Sequence, residues 1–164
     1  MKPIDTIVLI LSVLFLFHSL AFGMDDEITR NSLKGLEGIY VAIILDSGSK
    51  QAGLSKSLLR TDVEVKLRMA GIKLVSQYES FNLPGMPWLG VNTNSLIHGK
   101  SIYYQISLEL IQGAFLERKN LHTIAITWDI GRHGVTSNIE NIRSSIKDMT
   151  EQFINAYRSV NPKK

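Results

Sequence analysis

The stretch "SIYYQISLELIQGAFLERK", residues 101–119, decides the fold through its alternation. Starting at Ile102, every second residue as far as Leu110 is apolar or aromatic, and most residues between them are polar. Such a period of two is typical of an antiparallel strand with one face on a core and the other in water. The alternation weakens at Gly113, which predicts a bulge or bend at that residue.

Two neighbouring segments complete an antiparallel meander with this strand. "WLGVNTNSLI" at 88–97 reads as a strand, and "HGK" at 98–100 as the tight turn that follows it. After the turn "ERKN", the segment "LHTIAITWDIG" at 121–131 alternates again. Its pattern predicts four inward side chains, namely Ile124, Ile126, Trp128 and Ile130.

The first half of the domain has a strand–helix–strand pattern. "GLEGIYVAIILD" at 35–46 is apolar and rich in β-branched residues, which is typical of a central strand buried on both faces. A helix is predicted from the Ser55 cap to Gly71, followed by a short strand, "IKLVS", at 72–76. A βαβ unit of this kind makes its two strands parallel neighbours with a right-handed crossover.

The last segment is an amphipathic helix. Asn138 stands at the capping position, and Pro162 ends the helix. Its apolar residues step by three and four over six turns, at Ile139, Ile142, Ile146, Met149, Phe153, Ala156 and Val160. The predicted order is therefore β-α-β-β-β-β-α. This order indicates an α+β two-layer sandwich with a mixed, mostly antiparallel five-stranded sheet and both helices on one face.

Residues 1–23, "MKPIDTIVLILSVLFLFHSLAFG", have the layout of a signal peptide. Lys2 gives a positive start, an apolar run follows, and Ala21-Phe22-Gly23 places small residues three and one before a cut. The run is shorter than the roughly 20 residues that span a bilayer, so cleavage is preferred over a retained N-terminal anchor. Residues 24–34 are then a flexible lead-in, and 35–162 form a single α+β domain.

The composition limits the cellular compartments and the kinds of partner that we expect for this protein. The chain has no cysteine, which excludes disulfides and a bacterial lipoprotein anchor and favours a bacterial periplasmic or secreted protein. The net charge of +3 is too small and too dispersed for a nucleic-acid-binding surface. No membrane span is expected after cleavage of the signal. No cofactor motif is present, and no histidine pair has metal-ligand spacing.

The stretch "TWDIGRHG" at 127–134 contains the side chains that are most typical of a catalytic or binding site. Asp129 falls on the wet side of the predicted strand, and Arg132 and His133 lie just past its end, where Gly131 and Gly134 favour a turn. Trp128 is expected in the core. We therefore interpret the stretch as a strand end, with these polar side chains as candidates for binding and not for catalysis.

The outward face of the sheet is the other candidate surface. No predicted helix covers it, and it carries Tyr103, Gln105 and Thr127, together with Asp129. Such a face is either hydrated or a partner-binding surface, and both alternatives stay open. Asp46, at the end of the central strand, is a further candidate. The seven candidate binding residues are Asp46, Tyr103, Gln105, Thr127, Asp129, Arg132 and His133; no residue is assigned a catalytic or metal-binding role.

The chain resembles a group of small exported bacterial proteins of unknown function. The matching segments cover nearly all of the chain after the signal: "LKGLEGIYVAI", "LRTDVEVKLRMAGIKLVS", "LGVNTN", "YYQISLELIQGAFLER", "TWDIGRHG" and "FINAYRSVNP". At the level of the fold, the strand, the helix ending in "AGI" and the returning strand are also similar to the TolB N-terminal domain and to the α/β domains of curli-secretion lipoproteins. That second resemblance implies binding or assembly, although this chain lacks a propeller and a lipid-anchoring cysteine.

Two functions follow as expectations. The first is a non-enzymatic periplasmic binding or assembly module with an unknown protein partner in the cell envelope. The alternative is a small ligand-binding or hydrolase-like domain, whose pocket would form where loops 46–53, 82–88 and 131–137 meet. The sequence favours the first without excluding an enzyme.

Overall fold

The structure, a computed structural model, describes residues 22–162 of the 164-residue chain. Apart from Phe22 and Gly23, the predicted signal segment lies outside the described residues. The strands are β1 (Phe22–Met24), β2 (Tyr40–Leu45), β3 (Trp88–His98), β4 (Ser101–Leu116) and β5 (Leu121–Thr136). The α-helices are α1 (Glu27–Arg30), α2 (Ser47–Gln51), α3 (Lys56–Met69), α4 (Gln77–Ser80) and α5 (Ile139–Val160). Two 3-10 turns occupy Asn31–Leu33 and Glu117–Lys119.

The five strands form one mixed sheet in the order β1-β5-β4-β3-β2. Only β2 and β3 run parallel; every other neighbouring pair is antiparallel. The long helices α3 and α5 pack on one face, so the predicted α+β two-layer sandwich is confirmed. We call the opposite face, which neither long helix covers, the open face.

Alternating side chains build the core between the sheet and the two helices. From β4, Ile106, Leu108 and Leu110 are fully buried, as the alternation predicted. Helix α5 buries Ile146 and Phe153, and the Phe153 ring meets Trp128 edge to face at a centroid distance of 5.2 Å. Helix α3 contributes a second stripe, Leu59, Val63 and Leu67.

The βαβ prediction is wrong in its second strand, and its first strand, β2, is an edge strand of the sheet and not the central strand that its apolar sequence predicted. Residues 72–76 make only one parallel bridge, Ile39 to Leu74, and the parallel partner of β2 is β3. The segment stops early because the Ser76 side chain accepts a hydrogen bond from the backbone of Glu79, whose carboxylate accepts one from the backbone of Ser76. This capping box begins α4 before a strand can develop.

The fifth strand of the sheet is β1, and it pairs with β5 through residues 129–131. This strand lies across the predicted signal boundary. The predicted flexible lead-in, 24–34, is folded in the structure. Asp25 accepts a hydrogen bond from the Trp128 indole at 2.8 Å, and Leu33 is fully buried.

The irregularity in the β4–β5 hairpin differs from the predicted bulge at Gly113. The register shifts between Leu110 and Ile111, so that Leu110 pairs with Trp128 and Ile111 with Ile126, leaving Thr127 as the extra residue. Because side chains alternate, one extra residue moves the following ones to the other face. Ile124 and Ile126 were predicted to face inward, yet they lie on the open face and are 66% and 45% exposed.

Candidate binding surface on the open face of the sheet

Strand register arranges the open face in successive rows across β3, β4 and β5. Residues two apart on one strand share a face and lie about 6.8 Å apart. In order along the strands, the rows are Trp88–Ile111–Ile126, Gly90–Glu109–Asp129, Asn92–Ser107–Gly131, Asn94–Gln105–His133 and Leu96–Tyr103–Val135. The face is thus apolar at both ends and polar in the middle.

The first row borders a concavity that we call the apolar cleft. It has a volume of about 160 Å³. Its lining is almost entirely apolar and comes from the end of α4, the loop before β3, and the β4–β5 hairpin: Phe81, Met86, Trp88, Ile111, Gly113 and Ile124.

Local contacts hold the aromatic wall of the apolar cleft in place. The indole nitrogen of Trp88 donates to Ser80 Oγ at 2.8 Å, which ties β3 to the end of α4. Phe81 and Tyr40 each meet the Trp88 ring edge to face, at centroid distances of 5.7 and 5.6 Å. Such arrangements stabilise aromatic pairs beyond their buried area. The wall is therefore preformed.

A glycine forms part of the floor of the apolar cleft. The backbone nitrogen of Gly113 donates to Gly85 O at 2.7 Å, and this hydrogen bond draws the Pro-Gly loop alongside β4. A Cβ at Gly113 would lie 3.6 Å from that oxygen and 3.7 Å from the end of the Met86 side chain. A Cβ at this position would therefore be in ordinary van der Waals contact with the Pro-Gly loop.

The second row carries two carboxylates directly opposite each other, Glu109 on β4 and Asp129 on β5. Glu109 accepts hydrogen bonds from Ser107 at 2.5 Å and from Asn92 at 3.0 Å. Asp129 accepts one from the backbone nitrogen of Met24 at 3.1 Å. All three donors are neutral groups, so no lysine or arginine pairs with either carboxylate.

The far row exposes apolar surface at the other end of the sheet. Leu96 is 67% exposed, Tyr103 47% and Val135 59%. A shallow concavity of about 470 Å³ lies here, and Gln105 and His133 also line it. Three of the predicted binding residues, Tyr103, Gln105 and His133, are therefore neighbours on the open face.

Asp46 borders the same concavity, but its carboxylate is engaged in capping α2. Its Oδ1 accepts from the backbone nitrogen of Ser49 at 2.7 Å, and both oxygens lie 3.3 Å from the backbone nitrogen of Ser95. Burial alone would raise the pKa of Asp46, yet the hydrogen bonds from Ser49, Ser95 and Gly48 together lower it. Asp46 is a charged helix cap joined to β3.

Two predicted binding residues have other roles: Arg132 lies on the face that carries the helices, and Thr127 makes a hydrogen bond within the fold. β5 continues to Thr136, so Arg132 and His133 belong to the strand and not to a turn. Arg132 pairs with Ile106, on the face that carries the helices, and forms an ion pair with Asp148 of α5 at 3.7 Å. Thr127 is the bulge residue, and its hydroxyl accepts from Gln112 at 2.8 Å.

The alternative pocket at loops 46–53, 82–88 and 131–137 is not assembled. Asp46 and the 133–135 segment border one concavity, whereas 82–88 contributes to the apolar cleft. The two places are about 20 Å apart along β3, from Trp88 to Asn94. In addition, 47–51 is helix α2 and 131–136 is strand, so neither is a free loop.

Sequence reasoning missed the apolar cleft. The available signal was the segment "FNLPGMPW" at 81–88, where four apolar or aromatic residues surround a Pro-Gly turn that was interpreted only as a loop. The position of Ile124 on the open face was also missed, because the alternation of apolar and polar residues gives no sign of the bulge at Thr127. Within residues 22–162, no three histidine or acidic side chains are grouped to hold a metal ion. No helix in the same range is long and apolar enough to cross a membrane.

The comparisons with known proteins identify no family for this chain. No protein-family model matches the chain, and no curated protein sequence matches it significantly. Among solved structures, a point variant of the PelC dodecamer from Paraburkholderia phytofirmans has a TM-score of 0.47 at 13% identity, over 79% of this chain and 93% of that one. The PelC dodecamer in another crystal form gives 0.46 at 12% identity, over 84% and 95%. Both scores are below 0.5, and no property of PelC is transferred to this chain. The resemblance to TolB and curli-secretion proteins stays a prediction.

Proposed function

We propose that this protein is a non-enzymatic binding or assembly module of the bacterial cell envelope, exported by its N-terminal segment. It holds a protein partner on the open face of its sheet. The observation that carries the proposal is the uncovered face itself, with exposed apolar side chains at both ends. Soluble domains seldom leave such surface in water without a partner.

The roles of the polar candidates support binding over catalysis. Asp46 caps α2, Arg132 pairs with Asp148, and Thr127 accepts from Gln112. A catalytic group needs a free, positioned side chain beside a substrate site. These three side chains stabilise the fold instead.

Export is supported by the sequence of residues 1–23. A positive start, an apolar run and small residues before a cut together direct a chain to the bacterial envelope. The absence of cysteine suits a domain that folds there without disulfides. The partner is accordingly expected in the periplasm or outside the cell.

Site-specific photo-crosslinking in the producing cells tests the proposal. Benzoylphenylalanine replaces Tyr103 on the open face or, as the matched control, Met69, which is 82% exposed at the end of α3. We expect a discrete crosslinked species from position 103 and none from position 69. Equal crosslinking at both positions, or none at either, would contradict a specific partner on the open face.

A further inference from the structure

The geometry points to the chemistry of that partner. The apolar cleft and Glu109 together form a docking site for an extended protein segment that carries an aromatic or aliphatic side chain and, two residues away, a lysine or arginine. This inference rests on the proposed function and names the class of segment that the open face accepts.

The size of the apolar cleft fits one side chain. Its volume of about 160 Å³ is close to that of a dry apolar protein cavity of about 150 Å³ that binds benzene. Unlike such a cavity, the cleft opens on the surface, between Ile124 on one side and Phe81 on the other. A single aromatic or branched side chain can therefore enter from a partner without any rearrangement of the core.

The charge of the long strands selects a basic residue on the partner. The chain has 18 lysines and arginines, yet β3, β4 and β5 contain only Arg132, which faces α5. Their acidic residues are Glu109 and Asp129, which stand opposite each other on the open face. Glu109 accepts only from the neutral donors Ser107 and Asn92, so a lysine or arginine of the partner supplies the cation that the long strands lack on this face.

The spacing between the apolar cleft and Glu109 sets the order of residues in the segment. Ile111 of the cleft and Glu109 are two residues apart on β4, about 6.8 Å, and alternate residues of an extended peptide repeat at the same distance. Gly90, beside Glu109 in its row, is buried, and a Cβ there would lie 3.6 Å from the Ile111 side chain and 3.8 Å from the Asn92 amide. The basic side chain therefore reaches the half-buried Glu109 from the solvent side of the open face.

A second copy of the chain fits this surface less well. In a two-fold dimer, each open face would pack on an identical one. The Glu109 carboxylates of the two copies would then be brought toward each other, with no lysine or arginine of the long strands to compensate them. Charge complementarity therefore favours a different, basic segment.

The test uses short peptides and the protein purified as its host cell processes it. The probe is a capped heptapeptide of serine and threonine with one phenylalanine and, two residues on, one lysine. In a 15N-labelled sample, we expect it to shift the Trp88 indole and Gly113 amide signals. The matched peptide with glutamate in place of lysine should bind about two- to fivefold more weakly, since exposed charge pairs contribute modestly. The peptide with serine in place of phenylalanine should cause no shift.

Protein variants assign the two halves of the site. Glu109→Gln should abolish the preference for lysine over glutamate, and Ile124→Ser should weaken binding of both peptides. Met69→Ser, at the end of α3 and away from the open face, is the control and should leave both affinities unchanged. Circular dichroism checks that each variant is folded.

Three outcomes would overturn the inference: no shift at Trp88, equal affinity for the lysine and glutamate peptides, or a dimer in sedimentation whose formation shifts the Trp88 signal. The last would assign the apolar cleft to a second copy. Failure of the peptides while crosslinking at position 103 persists would reject this site but not the proposed function. Loss of that crosslinking would reject the proposed function itself.

Discussion

Trp128 joins the N-terminal segment to the core. Its ring is fully buried against Phe153, and its indole nitrogen donates to Asp25. Replacing Trp128 with alanine should lower the free energy of unfolding by roughly 3 to 5 kcal/mol, as expected for emptying a buried aromatic site. Urea unfolding measures this. The control is Met69→Ala at the end of α3, where the side chain is 82% exposed, and it is expected to change stability by at most about 0.5 kcal/mol. Similar small losses at both positions would contradict a core role for Trp128.

Asp25 makes the stability of the N-terminal segment depend on acid pH. The Arg30 guanidinium, bound through two hydrogen bonds of 2.6 and 2.8 Å, lowers the pKa of Asp25, burial opposes this, and the Trp128 indole lowers it further. A pKa below the unfolded value of 3.8 gives stability that is present above pH 3.8 and is lost as the pH falls through the folded pKa.

Asp25→Asn should therefore be less stable than the wild type at pH 6, with a difference that narrows toward pH 3. Urea unfolding at several pH values between these limits measures the two curves. Other carboxylates with lowered pKa, such as Asp46 and Glu79, remain in both proteins and cancel in the comparison. A difference that stays constant with pH would show that the Asp25 charge is not responsible.

At the level of single residues, sequence reasoning succeeded where alternation was regular. The pattern placed Tyr103 and Gln105 outward and Ile106 inward, and the structure agrees. The pattern placed Arg132 wrongly, because Gly131 and Gly134 favoured a turn around it. In the structure both glycines lie within strand β5. A Cβ at Gly134 would come within 2.7 Å of the Tyr104 hydroxyl, so the glycine gives that ring room on β5.

At the level of elements, the bulge at Thr127 determines which isoleucines of β5 are buried. Alternation alone predicts equal burial for Ile124 and Ile130, but the structure exposes the first and buries the second. Ile130→Ala should cost roughly 2 to 5 kcal/mol. Ile124→Ala should cost at most about 0.5 kcal/mol, because it changes an exposed side chain. Equal losses in urea unfolding would mean that the strand is regular and the bulge absent.

Helix α5 covers the β4–β5 half of the sheet, and its apolar stripe was predicted correctly from the spacing of its residues. Phe153 and Ile146 are 0% and 1% exposed. Phe153→Ala should destabilise by roughly 3 to 5 kcal/mol and Ile146→Ala by roughly 2 to 5 kcal/mol. Changes below about 1 kcal/mol at both positions, measured by urea unfolding, would show that α5 does not cover the core.

The elements that the sequence misplaced are short ones. Residues 72–76 have β-branched character, but the cap at Ser76 leaves room for only one bridge to Ile39. β1 has three residues and no alternating pattern, and it is held by its register with β5. Pairing with a distant strand is a tertiary effect, and neither periodicity nor propensity within a short segment reports it.

For the whole molecule, the proposed export predicts a defined mature N-terminus. The small residues Ala21 and Gly23 place the cut before Met24. Mass spectrometry of the protein recovered from the periplasm or the medium should give a chain that begins at or near Met24. A full-length chain recovered in the membrane fraction would contradict this and support a retained anchor.

Because Met24 donates a hydrogen bond to Asp129, cleavage before Met24 would change the charge beside the Asp129 carboxylate. In a chain cut after Gly23, the nitrogen that lies 3.1 Å from Asp129 Oδ1 is the α-ammonium group of the mature protein and no longer an amide. Two contacts near Met24 remain after the cut, since its carbonyl accepts from Thr29 and Asp25 accepts from the Trp128 indole. In the mature chain of the proposed export, the α-ammonium group is therefore the counterion of Asp129, and Glu109 is the carboxylate of the row that is left for a basic side chain of the partner. Acetylating the mature α-amino group should lower the melting temperature, and Asp129→Asn should remove that difference.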